Sequence, residues 1–234
     1  MSERREPVRA VLLDLYDTLV WSEWPAMRAE LEERFGLGEA DLIRAFVATR
    51  PLRSVGTYGS AEGDLRAILD AAGLEIPEED LRSLSEERIA GFLAHGVHLW
   101  DDSIPTIRAL RERGIKTAVV SNCDHSTRPV VERLGLVEET DAMILSFEVG
   151  AAKPDRAIYE AALRALEVTA AESLFVDDQA GYCEGALALG IPSLLILRDD
   201  AEPAEGVSDP GALQVIRGLE DMVGLLDIAD RAGP

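Results

Sequence analysis

The chain has 234 residues, 47% of them hydrophobic and 29% charged, enough for one sizeable core plus a smaller inserted domain. A formal net charge of −21, with no cluster of Lys and Arg, speaks against a nucleic-acid partner and against an anionic membrane surface. No membrane-length apolar run or signal-peptide pattern occurs, so a cytoplasmic location is expected. Cys123 and Cys183 stand far apart and His95, His98 and His125 keep no ligand spacing, which disfavours a disulfide framework or zinc site.

Residues 1–7 are charged and end on Pro7, a loosely attached tail. Val8 to Leu13 predicts a strand apolar on both faces, as in a buried parallel sheet. It stops on Asp14, and the chain turns sharply through Asp17 and Thr18. From Trp21 to Trp100 the periodicity is helical, with no convincing strand. Met27, Leu31 and Phe35 share one helix face, as do Leu42, Ala45 and Phe46, and Leu65, Ile68 and Leu69. The reading is an all-helical insert, residues 21–100, broken near Gly56 and again at Gly73 to Pro77. It leaves through a polar hinge at Gly96 to Asp102, and a helical lobe hinged over a strand end is a candidate lid.

Beyond Asp102 helices and strands alternate. Helices are predicted over Ile104 to Arg113, Arg128 to Leu134, Asp155 to Leu166, Gly181 to Leu189 and Leu219 to Leu226. Strands are predicted over Ile115 to Val120, Ala142 to Leu145, Ser173 to Val176 and Pro192 to Leu197. Such alternation implies a doubly wound α/β core with a parallel sheet, built from 1–20 and 101–234. The acidic run Asp199 to Pro210 reads as a solvated loop.

Ligands of open parallel sheets sit outside the C-terminal strand ends. Those ends carry Asp14, Ser121 with Asn122, the loop from Glu148 to Pro154 with Lys153, and the pair Asp177 and Asp178. A strand-closing aspartate followed by an Asx-type turn is common without any function. Several carboxylates gathered at one place nevertheless repel one another unless a cation joins them, and hard oxygen ligands suit Mg²⁺.

The segments DLYDTL at Asp14 to Leu19, VVSN ending on Ser121 and Asn122, VGAAKPDRAIYEAAL around Lys153, and FVDDQAGYCEGALALG around Asp177 and Asp178 occur in one order along nearly the whole chain. In this the sequence resembles the haloacid dehalogenase superfamily, of the type whose helical cap follows the first motif. The resemblance implies that Asp14 attacks the substrate and forms a covalent aspartyl intermediate. It also implies that Ser121, with Thr18 and Asn122 nearby, binds the phosphoryl group, and that Lys153 balances its charge. Mg²⁺ would be held by Asp14, the backbone carbonyl of Tyr16 and Asp178, with Asp177 in or beside that shell.

One position departs from the family's phosphatases. Two residues after the nucleophile they carry a second aspartate as general acid and base, where this chain has Tyr16. A phenol can donate a hydrogen bond but is a poor base for water, and losing acid–base assistance costs about 10² to 10⁴ in rate. Asp17 is no automatic replacement, because successive side chains diverge. Three readings follow: an atypical Mg²⁺-dependent phosphatase of a small phosphorylated metabolite, recruiting Asp17 or a cap residue; a 2-haloacid dehalogenase, whose halide leaves unprotonated; or a weakened scaffold that binds a partner. Arg44, Arg50 and Arg53 could offset a substrate carboxylate but read first as surface residues. Trp21, Trp24, Tyr58 and Trp100 read as hinge or core packing, and Cys123 and His125 as loop residues near Ser121. Tyr182 and Cys183 stand where many relatives carry polar groups, and the chain is expected to be a monomer or homodimer.

Overall fold

The computed structural model describes residues 7–198 and 213–231; the charged tail to residue 6 and the acidic run at 199–210 lie outside them. In chain order, strand β1 (Ala10–Leu13) leads to β2 (Val20–Ser22), then helices α1 (Trp24–Phe35), α2 (Glu39–Arg53), α3 (Ala61–Ala71) and α4 (Glu78–Gly91). A π-helical turn over Phe92–Gly96 delivers the chain to β3 (Val97–Leu99). The alternating part follows: α5 (Ser103–Glu112), β4 (Lys116–Ser121), α6 (Thr127–Arg133), α7 (Leu136–Glu139), β5 (Ala142–Leu145), α8 (Ser146–Val149) and α9 (Arg156–Leu166). It closes with β6 (Ser173–Asp177), α10 (Ala180–Leu187), β7 (Ser193–Ile196), β8 (Gln214–Ile216) and α11 (Leu219–Arg231).

Six strands pair in parallel in the order β5-β4-β1-β6-β7-β8, a doubly wound α/β sheet whose order reverses between β1 and β6. The alternation of side chains explains why β1 has no polar face. Val11 and Leu13 pack on one side with Val119, Val176 and Ile196, under Ile107 and Leu110 of α5 and Met222 of α11. Ala10 and Leu12 pack on the other with Phe175 and Leu195, under Ile158, Tyr159 and Ala162 of α9 and Cys183 of α10. All four residues of β1 are fully buried, so the strand is fixed from both sides.

Three expectations need correction. The segment 21–100 is not wholly helical, because its two ends pair as antiparallel strands, Trp21 opposite His98 and Ser22 opposite Val97. Three residues per strand are too few for a period of two to register in sequence. Trp21 stacks on His98 at 4.4 Å and leans on Trp100 at 6.3 Å, so both tryptophans pack the crossing. The edge strand β8 is the second correction, since Pro192 to Leu197 is expected to be the last strand; with Gln214 and Val215 exposed, QVI offers no apolar run to mark another. The third is β1, which starts at Ala10 rather than Val8. Among the described residues no helix is long and apolar enough to cross a membrane.

Candidate active site

The carboxyl ends of β1, β4 and β6 and the loop before α9 converge on one buried ammonium. Lys153 is 4% exposed; its Nζ donates to Asp14 Oδ1 and, at 2.6 Å, to Asp177 Oδ2. Asp14 is held at the end of β1 by its N–H, which donates to Val176 O of β6 at 2.9 Å. The other oxygen of Asp177 accepts from the Gln179 N–H at 2.8 Å, so both its oxygens are engaged within the fold. The lysine stem runs past the rings of Tyr182 and Phe175, with Nζ 5.1 Å and 5.5 Å from their centroids. Asn122 fixes the lysine from behind: its Nδ2 donates to Lys153 O at 2.8 Å and its Oδ1 accepts from Lys153 N at 2.6 Å. The amide expected beside the substrate is thus spent on the backbone of Lys153, whose bond to Pro154 is cis.

Asp14, Asp177 and Asp178 offer oxygens within 4.8 Å of one another. Burial pushes the Asp14 carboxyl up to about 7, with Lys153 pulling down and Asp177 adding repulsion. Asp178 is pushed up to about 8 by burial and by the charges of Asp14, Asp177 and Asp17. Burial disfavours the Lys153 ammonium, but Asp14 and Asp177 outweigh it and raise its pKa. One cation against three carboxylates leaves a deficit of positive charge on hard oxygen donors, which fits a divalent metal ion.

The chain leaves Asp14 through a compact turn in which Leu15 O accepts the N–H groups of Leu19 and Val20, each at 2.9 Å. Asp17 takes the left-handed conformation that this turn needs, φ 61°, and its side chain is exposed. Tyr16 is half-buried, and its hydroxyl lies 3.2 Å from Thr127 Oγ1 on α6. Burial raises the phenol's pKa, so it keeps its proton at neutral pH. Two hydroxyls, Thr18 Oγ1 and Ser121 Oγ, are buried without a hydrogen-bond partner among the described residues. Thr18 O accepts from Arg198 Nη2 at 2.5 Å, and Arg198 Nη1 also pairs with Asp102 Oδ2 at 2.8 Å, strapping the turn to the chain's exit from the insert.

The inserted helices close over this end of the sheet through a second set of buried charges. Arg53 of α2 donates through Nη1 to Asp124 Oδ2, which also lies 3.6 Å from Arg88 Nη2 of α4. Burial alone would raise the Asp124 carboxyl, but Arg88, Arg53 and the hydrogen bonds from Ser126 hold it below the ordinary value. Asp64 of α3 accepts from the His125 N–H at 3.1 Å and lies 2.7 Å from its Nδ1. A methyl group on Gly56, at φ 72°, would sit 2.3 Å from Phe147 O, so the loop after α2 touches the backbone of the sheet domain. Between the two parts lies a cavity of about 400 Å³, bordered by Tyr16, Asn122 and Thr127 on one side and Phe46, Arg88 and Phe92 on the other.

The predicted residues Asp14, Tyr16, Asp17, Thr18, Ser121, Asn122, Lys153, Asp177 and Asp178 therefore all come to one end of the sheet. Arg53 is not a surface residue but buried, and His125 is not a free loop residue but bonded to the insert. Arg44 and Arg50 are exposed, as expected, and Arg50 borders the cavity. Trp24 and His95 have no described side chains. Asp64, Arg88 and Asp124 escaped the sequence reading. A signal for Arg88 existed, because Leu81, Ser85 and Arg88 share the buried stripe of α4, and an arginine there needs a partner.

Residues 8–190 match the haloacid dehalogenase-like hydrolases. The chain belongs to this family. Phosphoglycolate phosphatase of Rhodospirillum rubrum is 30% identical over 219 residues, 88% of this chain and 86% of that protein. Phosphatase MT3486 of Mycobacterium tuberculosis is 32% identical over 137 residues, 58% of each, so the match spans little more than half of that relative. The crystal structure of the L-2-haloacid dehalogenase RSc1362 superposes with a TM-score of 0.67 at 24% identity, over 95% of this chain and all of that one, and carries the same fold. The family is one of hydrolases, and phosphatases are among the relatives of this chain.

Proposed function

We infer that this hydrolase is a Mg²⁺-dependent phosphatase of a small phosphorylated metabolite that works through an aspartyl phosphate on Asp14. The reading rests on the buried Lys153 ammonium shared by Asp14 and Asp177, with Asp178 beside them. An ammonium on the flank of the nucleophile holds Asp14 in one orientation and faces the charge that grows on the transferred oxygens. Asp14 attacks phosphorus as the bond to the leaving oxygen breaks, and water then cleaves the aspartyl phosphate. Ser121 and Thr18, whose hydroxyls lack protein partners among the described residues, supply donors to the phosphoryl oxygens. Asp14, Asp178 and the carbonyl of Tyr16 would hold Mg²⁺, while Asp177, engaged by Lys153 and Gln179, keeps the lysine charged and in place. When bound, the metal ion supplies positive charge that lets both ligand carboxylates ionise together.

Tyr16 stays protonated and gives no base for water, so activity is greatest on substrates whose leaving group departs without a proton. The helices of residues 21–100 act as the cap over the site, with the paired strands β2 and β3 as the hinge. The relatives' substrates make a small phosphorylated molecule the expected partner.

A second reading, 2-haloacid dehalogenase, is favoured by Tyr16 alone, since halide needs no proton. Hydrolysis of an activated aryl phosphate and of L-2-haloacids, each with and without Mg²⁺ and with Asp14→Asn as blank, separates the two. Phosphate release that needs both Mg²⁺ and Asp14 supports the phosphatase; metal-independent halide release replaces it with the dehalogenase.

A further inference from the structure

The carboxyl end of β7 brings one more side chain to the turn that follows Asp14, and the phosphoryl chemistry leaves it without a role. Arg198 stands just beyond β7, where its side chain is 11% exposed. Its guanidinium joins two segments that are far apart in the chain. Nη2 donates to Thr18 O at 2.5 Å and Nη1 to Asp102 Oδ2 at 2.8 Å, while its central carbon lies 5.0 Å from the centroid of the Trp100 ring. Asp102 is itself fixed, because the same Oδ2 accepts from the Leu219 N–H at 2.8 Å, at the start of α11. Burial alone would raise the Asp102 carboxyl, but the hydrogen bonds from Arg198 and Leu219 hold it below its ordinary value, so the pair adds no net charge to the site. Next along the turn, Leu19 O accepts from the Trp100 N–H at 3.1 Å and from Ser103 Oγ at 2.7 Å. Two successive carbonyls of the turn are thus held from outside it, one from the end of β7 and one from the exit of the insert.

We propose that Arg198 is a positioning residue for the reaction at Asp14, one that fixes the Thr18 peptide and through it the direction of the Thr18 hydroxyl. This deepens the phosphatase reading and rests on Thr18 as a donor to the transferred group. Thr18 is fully buried and its Oγ1 has no partner among the described residues, so no hydrogen bond of its own fixes that hydroxyl. A branched Cβ leaves few settings of χ1, and the orientation of the peptide then decides where the hydroxyl lies. A planar fork suits this task better than an ammonium, since one rigid group meets two acceptors on separate segments at once. Its second bond, to Asp102, anchors the same guanidinium at the exit from the insert, so the turn and the root of the inserted helices keep one relative geometry. Arg198 acts through the backbone of Thr18 and has no need to touch the substrate.

The test measures hydrolysis of an activated aryl phosphate with Mg²⁺ by wild type, Arg198→Met and Arg198→Lys, and by Thr18→Val with and without each Arg198 change. A displacement of the hydroxyl by about 1 Å predicts that Arg198→Met lowers kcat by roughly a hundredfold, with KM changed by less than about threefold. Arg198→Lys, which reaches one of the two acceptors, recovers about tenfold of that loss. In Thr18→Val the hydroxyl is gone, and Arg198→Met costs no more than about threefold further, whereas a role in fold stability alone would cost the same factor in both backgrounds. Hydrogen exchange needs no substrate: the amides of Leu19 and Val20 exchange about tenfold or more faster in Arg198→Met, with those of β4 unchanged. Arg198→Lys carries both measurements if Arg198→Met does not fold. Unchanged kcat, a loss confined to KM, equal losses with and without the Thr18 hydroxyl, or unchanged exchange of the turn overturns the proposal. Faster exchange of the turn with no phosphate released by the wild type supports the brace and overturns the phosphatase reading.

Discussion

Replacing Asp124 by alanine should destabilise the protein by about 3–5 kcal/mol, the usual consequence of stranding buried charge. Asp124, Arg53 and Arg88 are 8%, 6% and 9% exposed, so little water screens them. The Oδ1 atom of Asp124 accepts from Ser126 N at 3.0 Å and Ser126 Oγ at 2.5 Å, while Oδ2 faces both guanidiniums. The Ser126 bonds account for about 0.5–1.5 kcal/mol each, and the rest is the cost of leaving two cations without their anion. The assay is urea unfolding of wild type and Asp124→Ala at pH 7, repeated in an Arg53→Met, Arg88→Met background. There the cost should fall by about 2 kcal/mol or more, because no cation is left stranded. The pH dependence has a definite sign. The folded carboxyl titrates below its ordinary value of 3.8, so its stabilisation is complete above that value and disappears as pH falls through the folded one. The gap should be constant from about pH 5 to 8 and narrow below about pH 4. A gap under about 1 kcal/mol at pH 7, or one unchanged in the double-methionine background, would refute the argument that these charges clamp the inserted helices.

Asn122→Ala removes both hydrogen bonds that seat Lys153, and a shift of the ammonium by about 1 Å should lower kcat by roughly a hundredfold with a smaller change in KM; unchanged kcat would show that the clamp is redundant. Tyr16→Asp should raise turnover of alkyl phosphates by about 10² to 10⁴ while changing aryl phosphates less, which a panel of leaving groups measures. Because Asp14 and Asp178 are raised to about 7 and about 8, protons compete with a metal ion for them. Mg²⁺ affinity, followed by calorimetry without substrate, should therefore tighten as pH rises from about 6 to 9; a flat profile would mean that these carboxyls are not the ligands.

How far the sequence could be read follows from the range of each interaction. The apolar runs of β1, β4 and β6 and the helices that alternate with them are local patterns, so the parallel core and its strand-end residues Asp14, Ser121, Lys153 and Asp177 were legible before any coordinates. The family resemblance rested on those same strand ends. The pairing of β2 with β3 was hidden because three-residue strands carry no periodicity and their partners lie more than seventy positions apart in the chain. Asn122 looked like a substrate ligand because its neighbour Ser121 ends a strand. Only the return of the Lys153 loop, brought in by β5 and α8, turned its amide onto backbone. The fate of Arg53 and Arg88 was likewise undecided in one dimension, since an arginine on an amphipathic helix is ordinarily solvated. Folding brought α2 and α4 onto Asp124, after β4, and made both arginines interior. The sequence by itself determined the layered core and the chemistry carried to its strand ends, because hydrophobic period and motif order are properties of neighbours. Which charges meet beneath the inserted helices was decided only by tertiary structure, because burial and pairing depend on segments that approach each other late along the chain.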